Sequence, residues 1–259
     1  MNSSKYLACA AFALSSLIGT DGWVHAKDWQ VVRIATEGTY PPFSYLQGGE
    51  LAGFDVDVAN ALCAKIQAKC EVVAQEWDGM IPGLMSGKYD AIVASMAITE
   101  ERKQKIDFTD KYYATPARFI AAKDSGITDT TPQGMTGKVI GVQGSTTQGT
   151  YLEDLYKDSE VKIYKTVDDA AMDLATGRLD AVFSDAAILY GWLKTEEGSC
   201  CDFVGQEVRD DKYFGVGKGI GVRKEDQDLR DKLNAAVKAI VADGTYQQIN
   251  QKYFPFSIY

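Results

Sequence analysis

The sequence predicts an α/β protein built as two similar lobes with a cleft between them. Three observations carry this reading. Strand-like and helix-like stretches alternate along the chain, one segment recurs without gaps in the second half, and polar loops follow corresponding strands in both halves. The 259 residues, 46% hydrophobic and 24% charged, suffice for one or two ordinary cores.

Taken in order, Met1 to Lys5 is a short positive start and Tyr6 to Gly19 an apolar run too short to span a bilayer. Val24-His25-Ala26 follows as a small-residue, A-x-A-like cleavage site, so residues 1–26 read as an export signal and the mature chain is expected to begin near Lys27. Val31-Val32-Arg33-Ile34-Ala35 is a first strand that ends in the loop Thr36 to Phe43. After Gly53-Phe54, Asp55 to Lys69 opens with acids and repeats apolar residues at Val58, Leu62 and Ile66, the pattern of a helix. Cys70-Glu71-Val72-Val73 is strand-like, and in an oxidising compartment Cys63 and Cys70 are expected to close the small loop between them.

The repeat organises the middle. Leu84-Met85-Ser86-Gly87-Lys88-Tyr89-Asp90-Ala91-Ile92-Val93-Ala94-Ser95-Met96-Ala97-Ile98 aligns without gaps on Leu174-Ala175-Thr176-Gly177-Arg178-Leu179-Asp180-Ala181-Val182-Phe183-Ser184-Asp185-Ala186-Ala187-Ile188, and each copy reads as a helix end, a glycine cap, a basic residue and a buried strand. Upstream of the second copy, Lys138 to Val142 and the polar loop Gln143 to Gln148 echo the Val31 strand and its loop. Asp226 to Ala242 repeats Leu229, Leu233, Val237 and Ile240 before an Asp243-Gly244 stop, so helices close the chain. Each lobe has about 100 residues, a normal domain size.

Composition removes several functions. With 27 basic and 36 acidic residues the net charge is −9, the wrong sign for binding nucleic acid or an anionic membrane. The one histidine, His25, precedes the folded part, which excludes from that part a Ser-His-Asp triad, a Cys-His pair and a His-ligated metal. Without a C-x-x-C motif a zinc site is not expected either, and no metal or cofactor is assigned. Cys200 and Cys201 are adjacent; a vicinal bridge is strained and two free exported thiols are unusual, so both states stay open.

In open α/β sheets a ligand sits beyond the carboxyl ends of the strands. That places Glu37 to Phe43, Ser95 to Arg102, Gln143 to Gln148 and Asp185 around one cleft. Arg102 stands in the first turn of a helix capped by Thr99, where a cation opposes the helix dipole; an anion to bind would explain it, as would pairing with Glu101 or Asp107. Its guanidinium can clamp a carboxylate, helped by amides at the helix start of Thr146 and Thr147. Asp185 suits an ammonium group, or caps the helix that begins at Ala186. Glu37 with Tyr40 and Trp77 suits a cation between aromatic faces, although Tyr40-Pro41-Pro42-Phe43 also reads as a structural turn and Trp77 as core.

The ordered motifs Glu37-Gly38-Thr39-Tyr40-Pro41-Pro42-Phe43, Gly53-Phe54-Asp55-Val56-Asp57, Trp77-Asp78-Gly79-Met80-Ile81-Pro82-Gly83-Leu84, Ile98-Thr99-Glu100-Glu101-Arg102, Asp107-Phe108-Thr109-Asp110, Gly177-Arg178-Leu179-Asp180-Ala181 and Asp243-Gly244-Thr245-Tyr246 resemble the family 3 periplasmic solute-binding proteins of polar amino acid ABC importers. Within that family the chain is similar to the lysine/arginine/ornithine- and histidine-binding branch, whose disulfide falls where Cys63 and Cys70 stand. The resemblance implies a type II periplasmic binding fold with two hinge strands: a first lobe from residues 27–115 and 217–259, a second from 116–216. It implies that Arg102 and the Thr147 amide take an α-carboxylate, that Asp185 and the Ser95 region take the α-amino group, and that Tyr40 and Trp77 sandwich a side chain ending at Glu37. Ala94, Ala97, Gln143, Thr146 and Gln148 complete the implied pocket.

Three positions depart from the branch: Ala94 and Ala97 stand where serines are frequent, and Ser145 where glycine is. The expected partners are a small amino acid ligand and an inner-membrane ABC permease, with the protein acting as a monomer that catalyses nothing. Glu37, Trp77, Ala94 and Ala97 also resemble the binders of octopine and nopaline, and an enzyme of the cyclohexadienyl dehydratase type on the same fold is the alternative of another class.

Overall fold

A computed structural model describes residues 27–259; the expected export signal, with Cys9 and His25, lies outside them. The chain starts with strand β1 (Val31–Thr36), in which Val32, Ile34, Ala35 and Thr36 are buried, as a strand covered on both faces requires. A small antiparallel sheet of β2 (Thr39–Tyr40), β3 (Ser44–Gln47) and β4 (Glu50–Ala52) leads into helix α1 (Phe54–Ile66) and β5 (Lys69–Ala74). A single turn at Trp77–Gly79 precedes α2 (Met80–Met85), then β6 (Ala91–Ile92), α3 (Glu100–Lys103) and β7 (Asp107–Tyr113).

The second half repeats the plan with β8 (Ala117–Ala122), β9 (Val139–Gln143), α4 (Thr147–Leu155), β10 (Glu160–Tyr164), α5 (Val167–Ala175), β11 (Ala181–Asp185), α6 (Ala186–Trp192), β12 (Cys201–Val208) and α7 (Asp211–Phe214). The chain then adds β13 (Lys218–Val222), α8 (Gln227–Ala242) and α9 (Thr245–Tyr253).

Two five-stranded sheets result, ordered β5-β1-β6-β13-β7 and β10-β9-β11-β8-β12. In each, three parallel strands are followed by two antiparallel ones, so the sheets have the same plan. The chain passes between the sheets at Tyr113 to Ala117 and at Val208 to Lys218. None of the described helices is long and apolar enough to cross a membrane.

The repeat read from the sequence has a common physical basis. Asp90 donates its N–H to the Arg33 carbonyl at 2.8 Å, and Asp180 to the Val139 carbonyl at 2.9 Å. Each carboxylate then accepts the N–H of the same neighbour, at 3.1 Å from Arg33 and 2.8 Å from Val139. Aspartate is thus the residue that ties the incoming strand to its parallel partner in both sheets. The copies differ beyond it. The second continues as β11 through Asp185, whereas the first pairs only over Ala91–Ile92, after which Ser95 takes a left-handed φ of 55° and turns the chain towards the cleft.

Helix α1 ends three residues before the predicted Lys69. Gln67 adopts a left-handed φ of 58°, the Ala68 N–H returns to the Cys63 carbonyl, and Lys69 is already paired to Gln30 as β5 begins. This turn brings the Cα atoms of Cys63 and Cys70 to 5.9 Å, and the expected disulfide forms. Cys200 and Cys201 also form a disulfide, the alternative the sequence left open.

The first core gathers Phe43, Phe54, Tyr112, Tyr113 and Phe254 over β1 and under α1 and α8. Gly53 permits it: at φ 126° it lies so close to Phe43 that a β-carbon would sit 2.3 Å from the Phe43 carbonyl oxygen. The second lobe packs Phe119, Phe183, Tyr151, Tyr156 and Phe214 on one face of its sheet.

Candidate functional site

The loops that follow β1, β6 and β9 meet where the sheets face each other, joined there by the first residue of β13. A small cavity of about 20 Å³ there is lined by Glu37, Tyr40 and Trp77, by Ala94, Ser95, Ala97 and Arg102, and by Gln143, Thr146, Thr147 and Gln148 of the other sheet. Lys218 also lines it. Trp77, Arg102, Thr146 and Thr147 separate it from an outer groove of about 900 Å³. Eleven of the twelve residues expected around the cleft therefore line one space.

Arg102 is held in place without being neutralised. The Thr99 hydroxyl caps α3 by accepting the Arg102 N–H at 3.3 Å, the guanidinium donates to the Ala97 carbonyl at 3.1 Å, and its carbon lies 5.3 Å from the centre of the Trp77 ring. It makes no ion pair among the described residues; Glu101 acts on it only through space, and burial lowers it to about 10, so it is still charged at neutral pH. Because α3 spans four residues, Arg102 belongs to both its first and its last turn, and the argument from an opposed helix dipole falls away. What singles out Arg102 is a half-buried guanidinium with donors to spare.

Opposite it, α4 begins at Thr147, and the Thr146 hydroxyl accepts the Gly149 N–H at 3.0 Å. The start of this nine-residue helix, at Thr146 and Thr147, lines the same cavity as Arg102, and free amides at a helix start can take an anion. Ser145 supplies the approach with a left-handed φ of 54°, a conformation glycine adopts most readily, and its carbonyl accepts the Trp77 indole N–H at 2.9 Å. Trp77 is therefore fixed across the cleft as well as beside Arg102.

Glu37 sits at the other end. It is buried, and its carboxylate accepts the Gln143 side-chain N–H at 2.6 Å and the Thr39 hydroxyl at 3.4 Å. Burial raises it to about 7 and the fields of Asp168 and Asp78 add to the rise, against the two hydrogen bonds. A carboxylate taken out of water in this way lacks a countercharge, and a cation would supply one. Tyr40 packs beside it against both cores, and burial, with Asp185 next in effect, holds its hydroxyl far above the ordinary phenol range.

Asp185 is the expected site residue that does not reach the cavity. It is 1% exposed and its oxygens are taken: the Thr115 hydroxyl donates at 2.6 and 2.7 Å, the Ala187 N–H at 3.0 Å as a cap of α6, and the Lys218 ammonium lies 3.4 Å away. Its capping role and an ammonium partner are thus both present, but the ammonium belongs to the protein. Ser95 is tied to a second buried acid, its hydroxyl donating to Asp55 at 2.8 Å while the Tyr112 hydroxyl donates at 2.7 Å. Burial raises Asp55 to about 7 against these hydrogen bonds and the field of Lys218.

Lys218, Thr115 and Asp55 were not singled out from the sequence. The signal for Lys218 was nevertheless visible, since it is the one charged residue in the strand-like run Gly215-Val216-Gly217-Lys218-Gly219-Ile220-Gly221-Val222. A lysine buried in such a run has to find an acid. Among the described residues no group of histidine, cysteine or acidic side chains is arranged to hold a metal.

Known proteins resemble this chain over nearly all of its described length. The family model for bacterial extracellular solute-binding proteins, family 3, matches residues 32–256. An L-arginine-binding protein of Pseudomonas aeruginosa is 47% identical over 88% of this chain and 89% of its own, and a histidine-binding periplasmic protein of Escherichia coli is 44% identical over 89% and 90%. Among solved structures, an ancestral arginine-binding protein bound to arginine superposes with a TM-score of 0.80 at 35% identity, covering 89% of this chain and all of the other.

Proposed function

The chain belongs to the bacterial extracellular solute-binding proteins of family 3, and from that premise we propose that it captures a cationic amino acid (arginine, lysine, ornithine or histidine) in the periplasm and delivers it unaltered to the permease of an ABC importer. The observation that carries the ligand class is the pairing, in one cavity, of an un-neutralised guanidinium at Arg102 with a desolvated carboxylate at Glu37. A ligand with a carboxylate at one end and a cation at the other complements both. In this reading Arg102 and the Thr147 amide hold the α-carboxylate, the α-nitrogen lies on the Ser95 side of the cavity, where Asp185 stands behind Lys218, and the side chain runs between Tyr40 and Trp77 to Glu37.

The units that close on the ligand are residues 27–115 with 217–259 on one side and 116–216 on the other. Each contributes groups the other lacks, so the bound ligand favours the closed arrangement by contacts that the separated lobes cannot make. The Gln143 to Glu37 bond, the Trp77 to Ser145 bond and the Lys165–Glu76 ion pair support it, since all three join the two units. Release without chemistry is supported by the state of the acids. A dehydratase working through Asp185 would need that carboxylate free to move a proton, and Asp185 is engaged by three groups.

The pH dependence tests the Glu37 role. In the ligand-free protein Glu37 is largely protonated below pH 7, and a cation set against it lowers its pKa again, so binding there releases a proton and affinity falls with falling pH. Between pH 7 and pH 5.5 the arginine dissociation constant is expected to rise by up to about fifteenfold, and to be nearly flat above pH 8. In Glu37→Gln this slope should vanish and arginine binding weaken at every pH, as calorimetry will read. A slope preserved in Glu37→Gln would assign the effect to Asp55 and contradict the placement of the cation.

A further inference from the structure

The α-nitrogen end of the pocket carries a feature that the preceding reading does not use. Lys218 begins β13 with its backbone bridged to Ala97, and it is 5% exposed, so its ammonium is nearly as desolvated as the groups around it. It lines the cavity, while Asp185, 3.4 Å behind it, does not. Burying a lysine is unfavourable unless an acid is at hand, and Lys218 has Asp185 in contact and Asp55 within its field. The surface offered to the ligand at this end is therefore a cation. A free α-ammonium arriving there would meet a like charge, and the carboxylate suited to hold it is already bonded by Thr115, Ala187 and Lys218.

We propose that Lys218 is a specificity-determining residue that fills the α-amino subsite from within, so that the pocket takes cationic-tailed carboxylic acids whether the α-nitrogen is free, substituted or absent. This rests on the reading that Arg102 holds the carboxylate and Glu37 the tail. With Lys218 on Asp185, recognition depends on those two ends, and the α-nitrogen adds little. Removing the ammonium exposes Asp185 and turns the subsite into one that demands a free α-ammonium.

The test is calorimetric titration of the wild-type protein and of Lys218→Met with L-arginine and with 5-guanidinopentanoate, which is arginine without its α-amino group. The wild-type protein is expected to bind the two within about tenfold of each other, a difference of at most about 1.4 kcal/mol. Lys218→Met should widen the preference for arginine at least tenfold further. A wild-type preference for arginine above tenfold overturns the proposal even if the variant does not fold. So does an unchanged ratio in a folded Lys218→Met protein, and both outcomes leave the cationic-ligand reading standing. Failure of the wild-type protein to bind either compound overturns that reading together with this one.

Discussion

Replacing Arg102 with alanine should weaken the binding of every cationic amino acid roughly a thousandfold, about 4 kcal/mol, because the ligand carboxylate would be buried without its counter-ion. The size follows from the surroundings. The guanidinium is desolvated and unpaired, oriented by the Ala97 carbonyl and the Trp77 ring, so it loses little water or freedom when a carboxylate arrives. Arg102→Lys should recover only part of this, since an ammonium cannot reproduce the planar two-point clamp. Calorimetry with arginine and lysine reads both. A loss of less than tenfold in Arg102→Ala would mean that the carboxylate is held elsewhere.

The second large effect concerns stability. Asp90 is almost fully buried and serves two guanidiniums: Arg223 at 3.0 Å, itself buried, and Arg33 at 2.9 Å. Burial alone would raise the Asp90 carboxyl, but the hydrogen bonds from Arg33 and Arg223 outweigh it and hold it below the usual range. The stability this supplies is present above the unfolded-state pKa and is lost as the pH falls through the depressed folded value. Asp90→Ala should destabilise the protein by about 2–3 kcal/mol, because charge-assisted hydrogen bonds to both guanidiniums are lost while Arg223 keeps its buried partner Asp226 and Arg33 reaches solvent.

The repeat provides an internal control. Asp180 makes the same backbone bond to its neighbouring strand, but its side chain is 37% exposed and its partner, Lys138, is 3.4 Å away. Asp180→Ala should therefore lose only about 1 kcal/mol. Urea unfolding of the two variants measures the difference, and equal losses would show that the shared backbone bond, not the buried ion cluster, carries the stability.

Much of this architecture was legible because it depends on short-range pattern. The Asp90 and Asp180 repeats show in the sequence since a strand entering a parallel sheet needs its first N–H and carboxylate in the same place each time. The loops around Glu37, Arg102 and Thr147 were placed correctly at one cleft because they follow the carboxyl ends of strands. What was not legible depended on contacts far apart in the chain. The end of α1 was set by the Lys69 to Gln30 pairing, which helical periodicity does not see. Asp185 looked available for a ligand because nothing local shows that Thr115, 70 residues before it, and Lys218, at the start of a strand in the other sheet, converge on it. Arg102 was singled out by a dipole argument that a four-residue helix does not support, and what distinguishes it is a missing partner, which only the folded structure reveals.

The central claim is that the cleft holds a ligand with a carboxylate at Arg102 and a cation at Glu37. Calorimetric titration of the mature, ligand-stripped protein with arginine, lysine, ornithine, histidine, glutamine and glutamate, at one pH near 8 and one salt concentration, tests it most directly. The account predicts micromolar or tighter binding, about −8 kcal/mol or stronger, confined to the cationic members of the panel. Preference for glutamine or glutamate, or no heat with any of the six, would contradict it.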